Sequence, residues 1–177
     1  MYKPKALNTP RMRLEQLSPA HADFMMELLN SAQWINFIGD RNVRLKSDVL
    51  AYIEHILTSD STEYFVCILK EKPNEVGIVT LLKRPYLDHW DIGFALLTQY
   101  FKQGLAREAV SSILKELFEK NKLLKIAAIT KPDNSDSINL LTKIGFQYQK
   151  EMSVDARQVF LYEITGCLFF HDCITVK

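Results

Sequence analysis

The stretch DIGFALLTQYFKQGLAREAVSSILKELF, residues 91–118, decides how this chain folds. Residues 91–97 form an apolar run that suits a buried strand, and from Leu105 onward the apolar residues follow helical spacing. Gly104 lies at the join, where a glycine permits a sharp turn and lets a ligand approach the main chain. The free N–H groups of the first helical turn then face outward with the positive end of the helix dipole behind them. The stretch predicts a strand, a loop and a helix, with a site for a phosphate or pyrophosphate at the loop.

A second unit of the same kind follows. Residues 125–130 predict a strand, residues 132–137 a polar turn, and the next residues a short amphipathic helix that ends at Gly145. A strand, helix, strand, helix order implies a right-handed crossover between two neighbouring parallel strands.

The rest of the chain predicts further strands and helices on both sides of this unit. Ser18 and Pro19 predict the start of a helix over residues 20–29, a short helical turn follows over 33–37, and Ser47 is expected to cap a helix that runs through residue 57. The predicted strands cover residues 12–17, 64–69, 76–82, 89–97, 147–154 and 159–164. Apolar residues in the tail, 166–177, predict that it packs on the domain.

Length and composition favour a single globular domain over residues 1–177, with a core at about 11–165 and a tail at 166–177. The chain is 47% hydrophobic and 24% charged, and its net charge is +1. Scattered basic residues at this net charge give no electrostatic case for nucleic acid. The apolar runs are shorter than the ~20 residues of a membrane span, so no membrane association is expected.

The cysteines and histidines do not predict a metal site. The three cysteines lack CxxC spacing, so they are expected to be reduced thiols in a cytoplasmic protein, and the four histidines lack ligand spacing.

Five motifs together resemble the GNAT superfamily of acyl-coenzyme A dependent N-acetyltransferases, and within it the branch that includes ribosomal-protein N-terminal (serine/alanine) acetyltransferases. They are DIGF (91–94), YFKQGLAREA (100–109), PDNSDS (132–137), KIGF (143–146) and WINFIGDR (34–41). The chain departs from the family loop at Phe101, where Gln or Arg is usual. It has Lys102 and Gln103 where this branch often has glycine and a basic residue.

The resemblance implies an α/β (α+β) fold with one mixed, mostly antiparallel sheet of about seven strands flanked by helices. Two central parallel strands are expected to splay apart and expose main-chain groups to the pantetheine arm of acetyl-CoA, the implied cosubstrate; no metal is implied. The implied cofactor-binding residues are Phe94, Ala95, Leu96, Lys102, Gln103, Gly104, Leu105, Ala106, Arg107 and Asn134.

Candidate catalytic residues follow from the same resemblance. Asp91 is the first candidate for the base, with Asp88 and His89 as competitors, although Asp91 is also consistent with a solvated strand residue. Ser137 is the candidate acid for the leaving thiol, because Leu141 holds the place where many family members carry a tyrosine. Ser137 is equally consistent with an ordinary residue of a first helical turn.

The acceptor site is expected to involve Trp34, Phe37, Arg41 and His89. Trp34 and Phe37 are also consistent with core residues at helical spacing.

The sequence thus favours acetyl transfer to a primary amine by direct attack in a ternary complex. The acceptor is either a protein N-terminus, such as that of a ribosomal protein, or a small molecule. The alternative is a non-catalytic regulatory module that binds coenzyme A or acyl-CoA. Either protein is expected to be a monomer or a homodimer.

Overall fold

One eight-stranded sheet runs through the molecule, in the order β1-β2-β3-β4-β5-β6-β8-β7. The computed structural model describes residues 6–120 and 123–174, the last four of them as backbone only. The strands are β1 Ala6–Asn8, β2 Met12–Gln16, β3 Thr62–Leu69, β4 Glu75–Leu82, β5 Asp91–Leu96, β6 Lys125–Thr130, β7 Gln147–Val154 and β8 Arg157–Thr165. β5 and β6 run parallel, and every other neighbouring pair is antiparallel.

Helices cover both faces of the sheet. They are α1 Ala22–Leu29, α2 Ala32–Phe37, α3 Lys46–Thr58, α4 Leu105–Lys120, α5 Ser135–Ile144 and α6 Gly166–Ile174. Helices α1 to α3 bury apolar residues such as Met25, Leu28 and Ile53 against one face, in a core with Val66 and Ile78. The core on the other face is built by residues of α4, α5 and α6. The predicted mixed, mostly antiparallel sheet flanked by helices is confirmed.

The described residues form eight strands, close to the expected number of about seven. The additional strand is β1, which pairs with β2 from Ala6 opposite Glu15 to Asn8 opposite Arg13. A strand of three residues has too few positions for a periodic pattern, so only its pairing defines it.

The expected helix cap at Ser47 is wrong. Helix α3 begins at Lys46, and the carboxylate of Asp48 accepts the N–H groups of Arg44 at 2.9 Å and Leu45 at 2.8 Å. A carboxylate in the first turn satisfies two free amides and carries the charge that the helix dipole favours.

The C-terminal tail packs on the domain, as predicted, at least as far as residue 170. Phe169 is buried, and its ring centroid lies 5.6 Å from that of Phe118 on α4. The ring of Phe170 lies 6.4 Å from the same phenylalanine. The side chain of Ile174, also expected to pack, lies outside the described residues.

The parallel pair at the centre of the sheet is short. The register of β5 and β6 contains one pair, Asp91 opposite Ala127, beside which the Ala127 N–H donates to the Trp90 carbonyl at 2.8 Å. The strands separate beyond this point, as the resemblance implied. On its other side β5 pairs with β4 along its whole length, from Leu82 opposite Asp91 to Gly77 opposite Leu96.

At Gly77, β4 lies close against β5. A Cβ there would lie 2.3 Å from the Ala95 carbonyl oxygen and 2.3 Å from Cδ2 of Leu96. We expect Gly77→Ala to lower the free energy of unfolding by about 2–3 kcal/mol, because main chain cannot move aside as a flexible side chain can.

Denaturant unfolding monitored by circular dichroism measures this change. Gly166→Ala is the control, since its Cβ would meet only the Phe118 side chain, at 3.3 Å, and we expect a change below about 1 kcal/mol. Equal stability of Gly77→Ala and the native protein would contradict the close approach of the two strands.

Candidate active site

A cavity of about 590 Å³ opens where β5 and β6 separate. Its wall combines residues of α1 and α2, the far half of β5, the loop before α4 with the first turn of that helix, and α5. The lining residues are Leu28, Ser31, Gln33, Trp34, Phe37, Ile38, Phe94, Ala95, Leu96, Tyr100, Phe101, Lys102, Gly104, Leu105, Ala106, Arg107, Asn134, Asp136, Ser137, Asn139, Leu140 and Lys143.

The loop before α4 turns through two left-handed residues. Lys102 has φ 59° and Gly104 has φ 76°, and α4 begins directly afterwards at Leu105. Lys102 therefore keeps a backbone conformation that glycine adopts freely, at a strain of about 1 kcal/mol. Main-chain amides in such a turn, followed by a helix start, form a concave site for an anion.

A set of three residues, here called the loop clamp, holds this turn from the N-terminal side. Arg11 donates from Nη1 to the Gln103 carbonyl at 2.9 Å and from Nε to Oε2 of Glu108 at 2.6 Å. Oε1 of Glu108 accepts the Arg11 N–H at 2.8 Å and the Thr9 hydroxyl at 2.5 Å. The loop clamp (Thr9, Arg11 and Glu108) thus fixes both the loop and the first turn of α4.

Glu108 is held in its charged form by these contacts. Burial acts to raise the pKa of Glu108, but the hydrogen bonds from Thr9 and Arg11 outweigh it and lower the pKa below its usual range. Sequence reasoning missed the loop clamp, because nothing in the local pattern shows that residues 9 and 11 meet residue 108.

Three of the candidate cofactor-binding residues form the β5 side of the cavity. Phe94, Ala95 and Leu96 lie on the wall and are partly exposed, in the part of β5 that no longer pairs with β6. A strand edge of this kind hydrogen-bonds an extended ligand that carries amides.

Helix α5 contributes Asn134 and Ser137, both on the cavity wall. The side-chain oxygen of Asn134 accepts the N–H of Ser137 at 3.1 Å, so Asn134 is the helix N-cap. Leu141 is buried in the core, while Leu140 faces the cavity.

Asp91 is enclosed rather than solvated, with 2% of its surface exposed. One carboxylate oxygen lies 2.5 Å from Nε of Arg84, and the other accepts the N–H of Ile129 at 3.2 Å. Burial raises the pKa of Asp91, and the guanidinium of Arg84 opposes this effect. Asp91 is not among the residues that line the cavity.

Four other candidate residues are also absent from the cavity wall. Gln103 is exposed, with its amide group donating to the Gln99 carbonyl at 3.0 Å. Arg41 and Asp88 are exposed, and His89 is partly buried. The other candidates lie together on the cavity wall.

Several wall residues were not predicted. Tyr100, Phe101 and Lys143 lie within the motifs YFKQGLAREA and KIGF, so their motif membership is the sequence signal for them. Ser31 and Gln33 precede the WINFIGDR block and carry no spacing signal.

Trp34 serves both the core and the cavity. It is 3% exposed and packs in the core beneath α1 to α3, and it also borders the cavity.

A hydrogen bond connects α2 to the end of β6. The amine of Lys131, directly after β6, donates to the Asn36 carbonyl of α2.

Within residues 6–120 and 123–174, no group of three or more His, Cys, Asp and Glu side chains is placed to hold a metal ion. No helix there has the length and apolar character to cross a membrane.

Residues 11–147 match a family model described as an acetyltransferase (GNAT) domain. An uncharacterized N-acetyltransferase of Bacillus subtilis, YnaD, is 30% identical over 141 residues, which are 80% of this chain and 82% of that protein. The uncharacterized N-acetyltransferase p20 of Bacillus licheniformis is 24% identical over 147 residues, 81% of this chain and 83% of that protein.

Solved structures share the fold at low identity. Mycobacterium smegmatis RimJ, in complex with CoA-disulfide, superposes with a TM-score of 0.81 at 18% identity and covers 97% of this chain and 94% of its own. Spermidine N-acetyltransferase from Vibrio cholerae, in complex with CoA and spermine, has a TM-score of 0.77 at 17% identity and covers 90% of this chain and 98% of its own.

The loop clamp leads to a prediction about ligand affinity and stability. Glu108→Gln removes the charge that holds Arg11 and weakens the hold on the loop. We expect about tenfold weaker binding of coenzyme A, by calorimetry, and a loss of about 1–2 kcal/mol in the free energy of unfolding at pH 7.

The stability loss has a defined pH dependence. Because folding lowers the pKa of Glu108, its contribution is present above the unfolded-state pKa of about 4.3 and disappears as the pH falls through the folded-state value. The native protein and Glu108→Gln are therefore expected to converge in acid. Glu119→Gln, exposed near the other end of α4, is the control, and a pH-independent difference for Glu108→Gln would contradict the assignment.

Proposed function

The chain belongs to the GNAT acetyltransferase family, and on that premise we propose that it transfers the acetyl group of acetyl-CoA to the α-amino group of a protein N-terminus. Membership makes it an acyltransferase that uses acetyl-CoA. The supporting observation is the cavity, in which an amide-lined loop, an open strand edge and an acceptor wall from α2 meet.

The residues present fit the cosubstrate. The amides between Lys102 and Ala106 and the cations of Lys102 and Arg107 suit a diphosphate, at the start of a 16-residue helix. The open edge of β5 suits the amides of a pantetheine arm, and the apolar wall suits its methylene groups. Bound acetyl-CoA supplies the acetyl group as an activated thioester.

The charge of the cavity favours an acceptor with one amine. Asp136, in the first turn of α5, is the only carboxylate among the described lining residues. A polyamine carries several positive charges, which one carboxylate does not balance. A peptide N-terminus carries one amine and presents amides to the polar side chains of Ser31 and Gln33.

The proton that the amine must lose favours the same acceptor. At neutral pH, deprotonating an alkylamine with a pKa near 10.4 costs about 4–5 kcal/mol, whereas an N-terminal amine with a pKa of about 8 costs about 1 kcal/mol. The enclosed carboxylate of Asp91 is not part of the cavity wall. An acceptor amine with a low cost of deprotonation therefore does not need this carboxylate as a base. Water in the open cavity takes the proton of an α-amine.

The chain's own groups supply the rest of the chemistry. An amide of the open β5 edge donates to the carbonyl oxygen as negative charge develops on it. The walls hold the amine against the carbonyl carbon, which removes much of the entropic barrier. As the C–N bond forms and the C–S bond breaks, the hydroxyl of Ser137 donates a proton to the departing thiolate, and the proton that the attacking nitrogen loses replaces it.

The acceptor class is tested by thiol release in the presence of acetyl-CoA and matched amines. One peptide has a free N-terminal serine or alanine and no lysine; the other has the same sequence with a blocked N-terminus and one lysine. We expect at least about tenfold faster release with the first, from the difference in amine pKa.

Spermine and an amino sugar complete the panel. Fastest release with either of them, or with the lysine peptide, would overturn the acceptor assignment. Binding of coenzyme A without thiol release from any amine would support the regulatory module instead.

Ser137 gives a separate prediction. Ser137→Ala is expected to lower kcat about 10–100-fold at unchanged affinity for coenzyme A, because the thiolate then leaves without a proton donor. Ser135→Ala, exposed on the same first turn and absent from the cavity wall, is the control. An unchanged kcat for Ser137→Ala would remove the hydroxyl from the mechanism.

A further inference from the structure

The separation of β5 and β6 has a defined starting point at the main chain. In a regular parallel ladder, alternate N–H groups of one strand donate to alternate carbonyls of its neighbour. The Ala127 N–H makes the first such bond, to the Trp90 carbonyl at 2.8 Å. The next would run from Ile129 to Ile92. The Ile129 N–H donates instead to Oδ1 of Asp91, at 3.2 Å.

The Asp91 carboxylate, which accepts this hydrogen bond, is itself held in place. Its other oxygen lies 2.5 Å from Nε of Arg84, and Nη1 of that arginine lies 3.1 Å from the Tyr86 hydroxyl. The Asp91 side chain is 3% exposed and that of Arg84 is 31% exposed. Arg84 thus lies on the more exposed side of the carboxylate, and both carboxylate oxygens have partners within the protein.

We propose that Asp91 is a positioning residue, whose side chain replaces a main-chain acceptor, ends the β5–β6 pairing and keeps the edge of β5 open for the carrier. The identity of that carrier rests on the proposed function. The physical reason is that a buried N–H needs an acceptor. With the carboxylate present, Ile129 is satisfied without closing the gap; without it, the nearest substitute is a carbonyl of β5, and pairing with it closes the cavity.

This role differs from that of a general base in what each variant does. Asparagine keeps an oxygen that accepts the Ile129 N–H but is a very weak base. Alanine removes the acceptor altogether. A positioning role therefore tolerates Asp91→Asn and fails in Asp91→Ala, whereas a base fails in both.

The experiment measures three quantities for each variant: amide exchange at Ile129 by NMR, the dissociation constant for coenzyme A by calorimetry, and kcat. For Asp91→Asn we expect Ile129 protection to persist, with affinity within about threefold and kcat within about tenfold of the native values. For Asp91→Ala we expect at least about tenfold faster exchange at Ile129 and at least about tenfold weaker binding of coenzyme A.

The controls are Asp60→Asn and Asp60→Ala, which make the same changes at an exposed carboxylate on the turn between α3 and β3. They are expected to leave all three quantities unchanged.

Two results would overturn the proposal. One is a loss of about 100-fold or more in kcat for Asp91→Asn with Ile129 protection and affinity intact, which is the behaviour of a base. The other is an Asp91→Ala variant that keeps both protection and affinity.

If Asp91→Ala does not fold, Asp91→Asn alone decides: it supports the proposal by retaining protection and kcat and contradicts it by losing either. Amide exchange needs neither ligand nor acceptor, so its outcome is independent of the proposed function.

Discussion

The single paired position between β5 and β6, Asp91 opposite Ala127, is the constraint on which the rest of the structure depends. The strands are close enough there for main-chain hydrogen bonding, and they diverge beyond this pair. A longer ladder would fill the space of the cavity, and no pairing at all would separate the two halves of the sheet. The cavity exists because the strands are joined at one end and open at the other.

Hydrogen bonds outside the sheet also fix the walls of the cavity. On one side the loop clamp joins the turn before α4 to the segment between β1 and β2, far away in the sequence. On the other side Lys131 joins the end of β6 to a main-chain carbonyl of α2. Polar contacts therefore fix the loop and the α2 wall, while the apolar cores on the two sheet faces hold the strands between them.

Much of the fold could be predicted from residues 91–118, because a buried strand and an amphipathic helix have different apolar periods. Gly104 lies where the period changes from one to the other. The strand at Lys125–Thr130 and the helix ending before Gly145 were readable for the same reason. β1 was not, since three residues have no period. The start of α3 was misplaced because Ser47 and Asp48 both suit a helix start, and the choice between them depends on which side chain reaches back to the preceding amides.

For the site, the sequence by itself determined the local parts: the strand, the amide-rich turn at Gly104, and the helix start at Asn134. These are properties of neighbouring residues. The tertiary structure alone decided that Glu108 meets Arg11, that Trp34 borders the cavity, and that Asp91 is enclosed by Arg84 and Ile129 rather than facing solvent. The physical reason is that the environment of a carboxylate depends on groups from strands and loops that are distant in the sequence. The local sequence pattern does not predict these contacts.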